Sequence, residues 1–298
     1  MMNPRSASLL TRALLLVAFA ISIGSCGARR PASTTVSSTP QAIQPVAGHL
    51  LIVGGGQLGP EITQRFVALA GGPDALIVVI PTAGEDSAYT GTWTGLAWLR
   101  TAGARNILVR HTRSRRIAET DSFASPIRKA GGVWFPGGRH WRLVDSYLDT
   151  RTERELHALL ARGGVIGGSS AGASIQASYL VRGAREGNTI MMAPGYERGF
   201  AFLTGTAIDQ HVTARNRQLD LQPVVKRFPS LLGIGLDEGT AIDVHGALAE
   251  VIGRGMMFVH NGHDPLPVDT PYVTLRAGQW YDLAQRRRAT AATTNGQR

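Results

Sequence analysis

The segment Gly168-Ser169-Ser170-Ala171-Gly172 fits the pattern Gly-x-Ser-x-Gly. A nucleophilic serine on a sharp turn from strand to helix takes strained backbone angles, so its neighbours must be small. The pattern selects Ser170 and leaves Ser169 in a flanking position. A helix running from Ala171 to about Arg182 would point its free N–H groups and positive end at the serine. The N–H of Ala171 would then help to hold an oxyanion. The chemistry implied is nucleophilic acyl transfer. Small-residue turns of this kind also serve packing or phosphate binding, so the pattern needs partners. A second Gly-rich turn, Gly54-Gly55-Gly56-Gln57-Leu58-Gly59, is a weaker signal and is not read as a dinucleotide site.

A serine needs a base, and eight histidines are available: His49, His111, His140, His157, His211, His245, His260 and His263. His211 stands out. Asp209-Gln210-His211 follows the apolar Ala207-Ile208 and leads into Arg215 and Arg217. A base also benefits from an orienting carboxylate. Glu238 follows the short apolar run Gly233 to Leu236, and Asp237, Asp209 and Glu186 compete with it. Spacing leaves that choice open. His260-Asn261-Gly262-His263 has the look of a metal pair, but Gly262 suggests a turn and no third ligand is evident, so no metal is expected.

These residues must be held by a frame, and the chain supplies one. Short apolar runs at Leu50–Val53, Ala75–Ile80, Asn106–Arg110, Gly132–Phe135 and Gly164–Gly167 read as strands buried on both faces. Helical spacing lies between them, at 60–70 and 141–161. Strand–helix–strand alternation predicts a mostly parallel sheet with helices on both faces. Ligand sites in such sheets lie at the carboxyl ends of the strands. Four of the five runs end there in Gly- or Pro-rich turns.

The chain has 298 residues, 43% hydrophobic and 17% charged, which suits one globular domain and excludes a disordered chain. Its formal charge is +10, and lysine occurs only at Lys129 and Lys226. The basic residues are scattered rather than gathered in a stripe, and no zinc-finger or recognition-helix pattern is visible, so nucleic acid is not the expected partner. Residues 1–26 read as an export signal: Arg5 and Arg12, then the apolar run Ala13–Ile21, then Ile23-Gly24-Ser25-Cys26. That last stretch resembles a lipobox, with the chain's single cysteine, Cys26, as the lipidated residue. The expected location is the cell envelope, with a lipid anchor in a membrane. Residues 27–46 read as a flexible tether, 47–285 as the folded domain and 286–298 as a disordered tail.

The joint order of these pieces resembles the cyanophycinase and dipeptidase E family of serine peptidases. The resemblance runs over about residues 48–260. It is carried by the Gly54–Gly56 turn, Ile80-Pro81-Thr82-Ala83, Phe135-Pro136-Gly137-Gly138, Gly168 to Ala173, Asp209-Gln210-His211 and Gly233 to Ala241. It implies a three-layer α/β/α sandwich of the class I glutamine amidotransferase type, with serine in place of cysteine. It implies Ser170 as nucleophile, His211 as general base, Glu238 as third member, and Gly138 and Ala171 around the oxyanion hole. It implies a substrate site at His140, Asp209, Gln210, Arg215 and Arg217, a closer match to cyanophycinase than to dipeptidase E. Two positions depart. Arg139-His140 stands where cyanophycinase carries a glutamine, and Asp220 stands where a third arginine is expected.

The reaction expected is therefore hydrolysis of an aspartyl or β-aspartyl peptide bond through an acyl-enzyme, without a cofactor. The departures keep cyanophycin itself out of that expectation. An esterase, or a lipid-anchored binding protein that kept the fold without catalysis, are the competing readings. The sequence leaves open whether the protein forms a homodimer.

Overall fold

The computed structural model describes residues 42–289. The export signal, Cys26 and residues 27–41 of the tether lie outside the described residues, as do residues 290–298. Among the described residues no helix is long and apolar enough to cross a membrane.

The first half of the chain alternates strand and helix as the apolar runs require. In order come β1 (Val46–Val53), α1 (Pro60–Leu69), β2 (Ile77–Val79), α2 (Ala97–Thr101) and β3 (Ile107–Val109). Then follow α3 (Arg115–Ala118), α4 (Asp121–Lys129), β4 (Gly132–Phe135), α5 (His140–Tyr147), α6 (Arg151–Ala161), β5 (Val165–Ser169) and α7 (Ala171–Ser174). The second half is mostly strand: β6 (Ala177–Tyr179), β7 (Leu203–Gln210), α8 (Gln222–Arg227), β8 (Leu232–Leu236), β9 (Thr240–Gly246) and β10 (Leu248–Gly253). It closes with β11 (Met256–His260), β12 (Val273–Arg276), β13 (Trp280–Asp282) and β14 (Arg287–Arg288).

Nine strands form one sheet in the order β14-β13-β10-β9-β1-β5-β4-β2-β3. Its centre, β1-β5-β4-β2-β3, is parallel throughout, with Leu50 opposite Ile166 and Phe135 opposite Gly168. Helices α1 and α2 cover one face through Phe66, Val67 and Leu99, which pack with Trp134 and Ile77. Helices α4 to α7 cover the other through Phe123, Tyr147 and Leu159. This is the expected α/β arrangement.

A second sheet, β12-β11-β8-β7-β6, was not visible in the sequence. Its apolar residues Ile208, Ile234 and Val259 join the same core as the helices on that face. It matters to the site because β7 and β8 run parallel and end together, with Gln210 opposite Leu236. Their carboxyl ends deliver the segments that begin with His211 and Asp237.

Three local readings are corrected. The helix after Ser170 ends at Ser174, not near Arg182, because Ala177–Tyr179 pairs with β7. The 141–161 segment is two helices, broken at Leu148–Thr150 with Asp149 at φ 60°. The folded domain also extends beyond 47–285. Thr204 Oγ1 accepts from the Gln44 N–H and donates to the Ala42 carbonyl, Ile43 is buried, and Val46 opens β1. At the other end Arg287–Arg288 pairs with β13, and the Arg286 guanidinium donates to the Ser230 carbonyl.

Candidate active site

Three turns at the carboxyl ends of β1, β4 and β5 meet where the parallel sheet predicts a ligand site. Ser170 follows β5 at φ 58° and ψ −114°. A non-glycine residue in such a region costs about 1–3 kcal/mol and persists only where its surroundings hold it. Here the Ser170 N–H donates to the Val53 carbonyl at 3.1 Å, and the Ser170 carbonyl accepts from Ala173 and Ser174. The small neighbours are explained by contact. A Cβ on Gly168 would stand 2.2 Å from the Gly172 carbonyl oxygen, and one on Gly172 would stand 2.0 Å from that of Phe135.

His211 closes the end of β7, and its N–H donates to the Gly54 carbonyl at 2.9 Å. Its Nε2 lies 3.0 Å from Ser170 Oγ, and its Nδ1 lies 2.5 Å from Glu238 Oε1. A neutral ring that donates Nδ1–H to Glu238 leaves Nε2 to accept from the serine hydroxyl. Burial lowers the pKa of His211 from its ordinary value. The Glu238 hydrogen bond pulls it back up, and the charges of Arg215 and Arg217 push it down. Among the four carboxylates left open by spacing, Glu238 is the one that meets the imidazole. Asp237 accepts from the Thr213 and Met256 N–H groups, Asp209 faces Arg182, and Glu186 is exposed.

The Gly54–Gly59 turn is the floor of this arrangement. Gly54, Gly56 and Gly59 fall at dinucleotide-loop spacing, yet the turn serves the histidine. A Cβ on Gly55 would stand 2.3 Å from His211 Cε1, and one on Gly56 would stand 2.8 Å from Glu238 Cβ. The Gly239 N–H donates back to the Gly55 carbonyl at 2.8 Å, tying the Glu238 loop to the turn.

The Pro136–Gly138 turn reaches the serine from β4. A Cβ on Gly137 would lie 3.1 Å from that of Ser170. Among the described residues, the N–H groups of Gly138 and Ala171 have no hydrogen-bond partner in the protein. Two free N–H groups beside a serine can hold developing negative charge on a carbonyl oxygen.

The remaining candidates divide. Asp209 is fully buried, and both its oxygens accept from Arg182 at 2.7 Å. It therefore braces an arginine rather than offering a free carboxylate. Gln210 is buried and accepts from Arg217 Nη1 through its carbonyl at 3.1 Å. Arg215 is exposed beside His211. His140 is buried with its Nε2 unpartnered, and burial followed by the charge of Arg182 lowers its pKa to about 3, so it is neutral. His260 and His263 serve structure: one meets Gln222, the other the Gln285 carbonyl, on either side of Asn261 at φ 61°. Among the described residues no group of three His, Cys, Asp or Glu side chains could hold a metal ion.

The model of peptidase family S51 matches residues 50–252. The chain belongs to peptidase family S51. It is a serine-type peptidase, and cyanophycinases are among its relatives. The cyanophycinase of Geminocystis herdmanii is 30% identical over 225 residues, covering 74% of this chain and 82% of the relative. That of Trichormus variabilis is 28% identical over 246 residues, covering 79% and 80%. The crystal structure of a peptidase from an acI-B1 Actinobacterium aligns with a TM-score of 0.62 at 20% identity, over 80% of this chain and 98% of that one. At that identity the match speaks for the fold.

Within this S51 frame the sequence missed Arg182. It is buried at φ 60°, gripped by Asp209, and donates to Asp220 at 2.7 Å and to the Asn188 carbonyl. No spacing rule links residue 182 to residue 209. Asp220 is 38% exposed and could be solvated alone, so it gave no signal for Arg182 either.

Proposed function

We propose that this S51 peptidase hydrolyses a peptide bond beside an aspartyl residue, in α or β linkage, with Ser170 as nucleophile. The observation that carries the reading is the hydrogen-bonded chain from Ser170 Oγ through His211 to Glu238. His211 Nε2 takes the hydroxyl proton as Ser170 Oγ attacks the carbonyl carbon. Glu238 holds Nδ1–H and stabilises the imidazolium. The N–H groups of Gly138 and Ala171 receive the oxyanion. As the C–N bond breaks, His211 gives its proton to the leaving amine, and an acyl-enzyme remains. Water then attacks with His211 again as base. Arg215 and Arg217, on the His211 side of β7, favour an acidic residue in the substrate, and the cyanophycinase relatives support the same class.

The test is turnover of α- and β-linked aspartyl peptides by the full chain and by Ser170→Ala. The wild type turns them over and reacts with a fluorophosphonate at Ser170; the variant does neither and melts like the parent. Full activity in the variant removes Ser170 from the mechanism. We also propose that the protein is exported and lipidated at Cys26, which the apolar run Ala13–Ile21 ahead of the single cysteine supports. Uptake of a fatty-acid label should vanish in Cys26→Ser, and equal labelling of both proteins would rule the anchor out.

A further inference from the structure

Beside the serine lies an open cavity of about 560 Å³ on the α1–α2 face of the sheet. Its lining includes Gly56, Gly137 and Ser169, which belong to the turns beside Glu238 and Ser170. Leu58, Trp98 and Trp134 supply its apolar wall, and Gln57, Thr63 and Thr101 are its polar members. The aromatic wall is a packed surface. The Trp98 and Trp134 rings stand 4.7 Å apart, Phe66 lies 4.9 Å behind Trp134, and Gly167 leaves the space that Trp134 fills. No Asp, Glu, Lys or Arg side chain lines it. It has no part in the proton transfers above.

We infer that this cavity is the subsite for an apolar or aromatic side chain of the leaving residue, the one whose amine departs from the aspartyl carbonyl. The inference rests on the Ser170 reading and extends it. The leaving nitrogen must come within reach of His211 Nε2 to take its proton. The Gly55–Gly56 turn runs under that ring, and the cavity begins at Gly56. The leaving residue is thus directed toward Leu58, Trp98 and Trp134. The Leu58, Trp98 and Trp134 wall carries no charged side chain, and Glu238 beside Gly56 is already held by His211, so an apolar side chain gains there by leaving water while a guanidinium or carboxylate finds no free partner on that wall. The charged cluster around Arg217 follows His211 past the end of β7 and is kept for the acidic residue.

The experiment measures kcat/KM of the full chain for a panel of α- and β-linked Asp-Xaa peptides, with Xaa as Gly, Leu, Phe, Arg and Glu. Leu and Phe should exceed Gly by about tenfold or more, with Arg and Glu below Leu. The Leu-to-Gly ratio should collapse in Thr101→Trp, which fills the cavity from the exposed α2 side, and in Trp98→Ala, which removes its wall. Thr101→Asp should raise Arg relative to Leu by supplying the missing countercharge. A wild type that prefers Arg, or a ratio that neither variant moves, overturns the subsite while Ser170-dependent turnover stands. Turnover that survives Ser170→Ala, or no turnover of any member, overturns the parent reading and this one with it.

Discussion

Replacing Gly55 by alanine asks whether the first glycine turn exists to seat the histidine. An alanine Cβ would stand 2.3 Å from His211 Cε1, 2.6 Å from Nε2 and 2.8 Å from Nδ1. Non-bonded carbons settle at about 3.5–4.0 Å, so the ring must retreat by roughly 1 Å. It cannot retreat that far and keep both the 3.0 Å contact to Ser170 and the 2.5 Å contact to Glu238. A displacement of about 1 Å in a reacting group costs on the order of 10²-fold in rate. Gly55 also sits at φ 115°, where any side chain is strained, so some stability is lost as well. Gly103→Ala separates the two effects, because φ there is 96° and nothing lies within 4 Å of the added Cβ. Both variants should melt below the parent, and only Gly55→Ala should lose about 100-fold in kcat on an aspartyl peptide. A Gly55→Ala enzyme within about threefold of the parent in kcat would refute the reasoning, as would an equal loss in Gly103→Ala.

Two further outcomes follow from the charges. His211 works as a base only when neutral, so activity falls as pH drops through its lowered pKa. The Arg215 charge opposes ring protonation. Arg215→Gln should therefore raise that pKa and move the acid limb of kcat/KM to higher pH; an unmoved or lowered limb contradicts the assignment. Arg182→Ala takes from buried Asp209 its two 2.7 Å contacts and leaves it the Gln210 N–H at 2.9 Å and the more distant Arg217 at 3.8 Å. Losing one member of a buried pair costs about 3–5 kcal/mol. Scanning calorimetry should show a melting temperature lower by about 10 °C, and a shift under about 3 °C would mean that water replaces the arginine.

What could be read ahead of the structure was whatever depends on short-range pattern. Leu50–Val53 and Val165–Ile166 are buried throughout because parallel strands are covered on both faces, and that leaves a continuous apolar run in the chain. The serine turn is legible because its geometry demands small residues next to Ser170. The break at Leu148–Thr150 leaves a local signal in the chain too. Thr150-Arg151-Thr152-Glu153 has capping-box spacing, although the Thr150 hydroxyl donates back to the Tyr147 carbonyl and the Glu153 carboxylate accepts from Asp149, one residue before the N-cap. The second sheet was not legible. Its members are brought together by pairings such as β6 with β7, across a connection of more than twenty residues that carries no periodic signal. Glu238 could not be separated from Asp237 for a related reason. Adjacent carboxylates differ only in which way the β8–β9 turn aims them, and the Gly55 carbonyl and the Met256 N–H set that aim.

The charge balance around β7 gives the departure at Asp220 a physical meaning. Arg182, Arg215 and Arg217 carry three positive charges within mutual influence, and Asp209 and Asp220 carry two negative ones, leaving one in excess. Arg182 is fully engaged by the two carboxylates and the Asn188 carbonyl, so it cannot turn outward. The excess charge therefore resides on Arg217, held in place by Gln210, and on exposed Arg215. Were residue 220 an arginine, the same cluster would hold four positive charges against one, and it would favour a more heavily charged anion. With Asp220 the cluster matches a single carboxylate. On the proposed reading, an aspartyl residue on this side and an apolar leaving residue toward Trp98 describe one substrate.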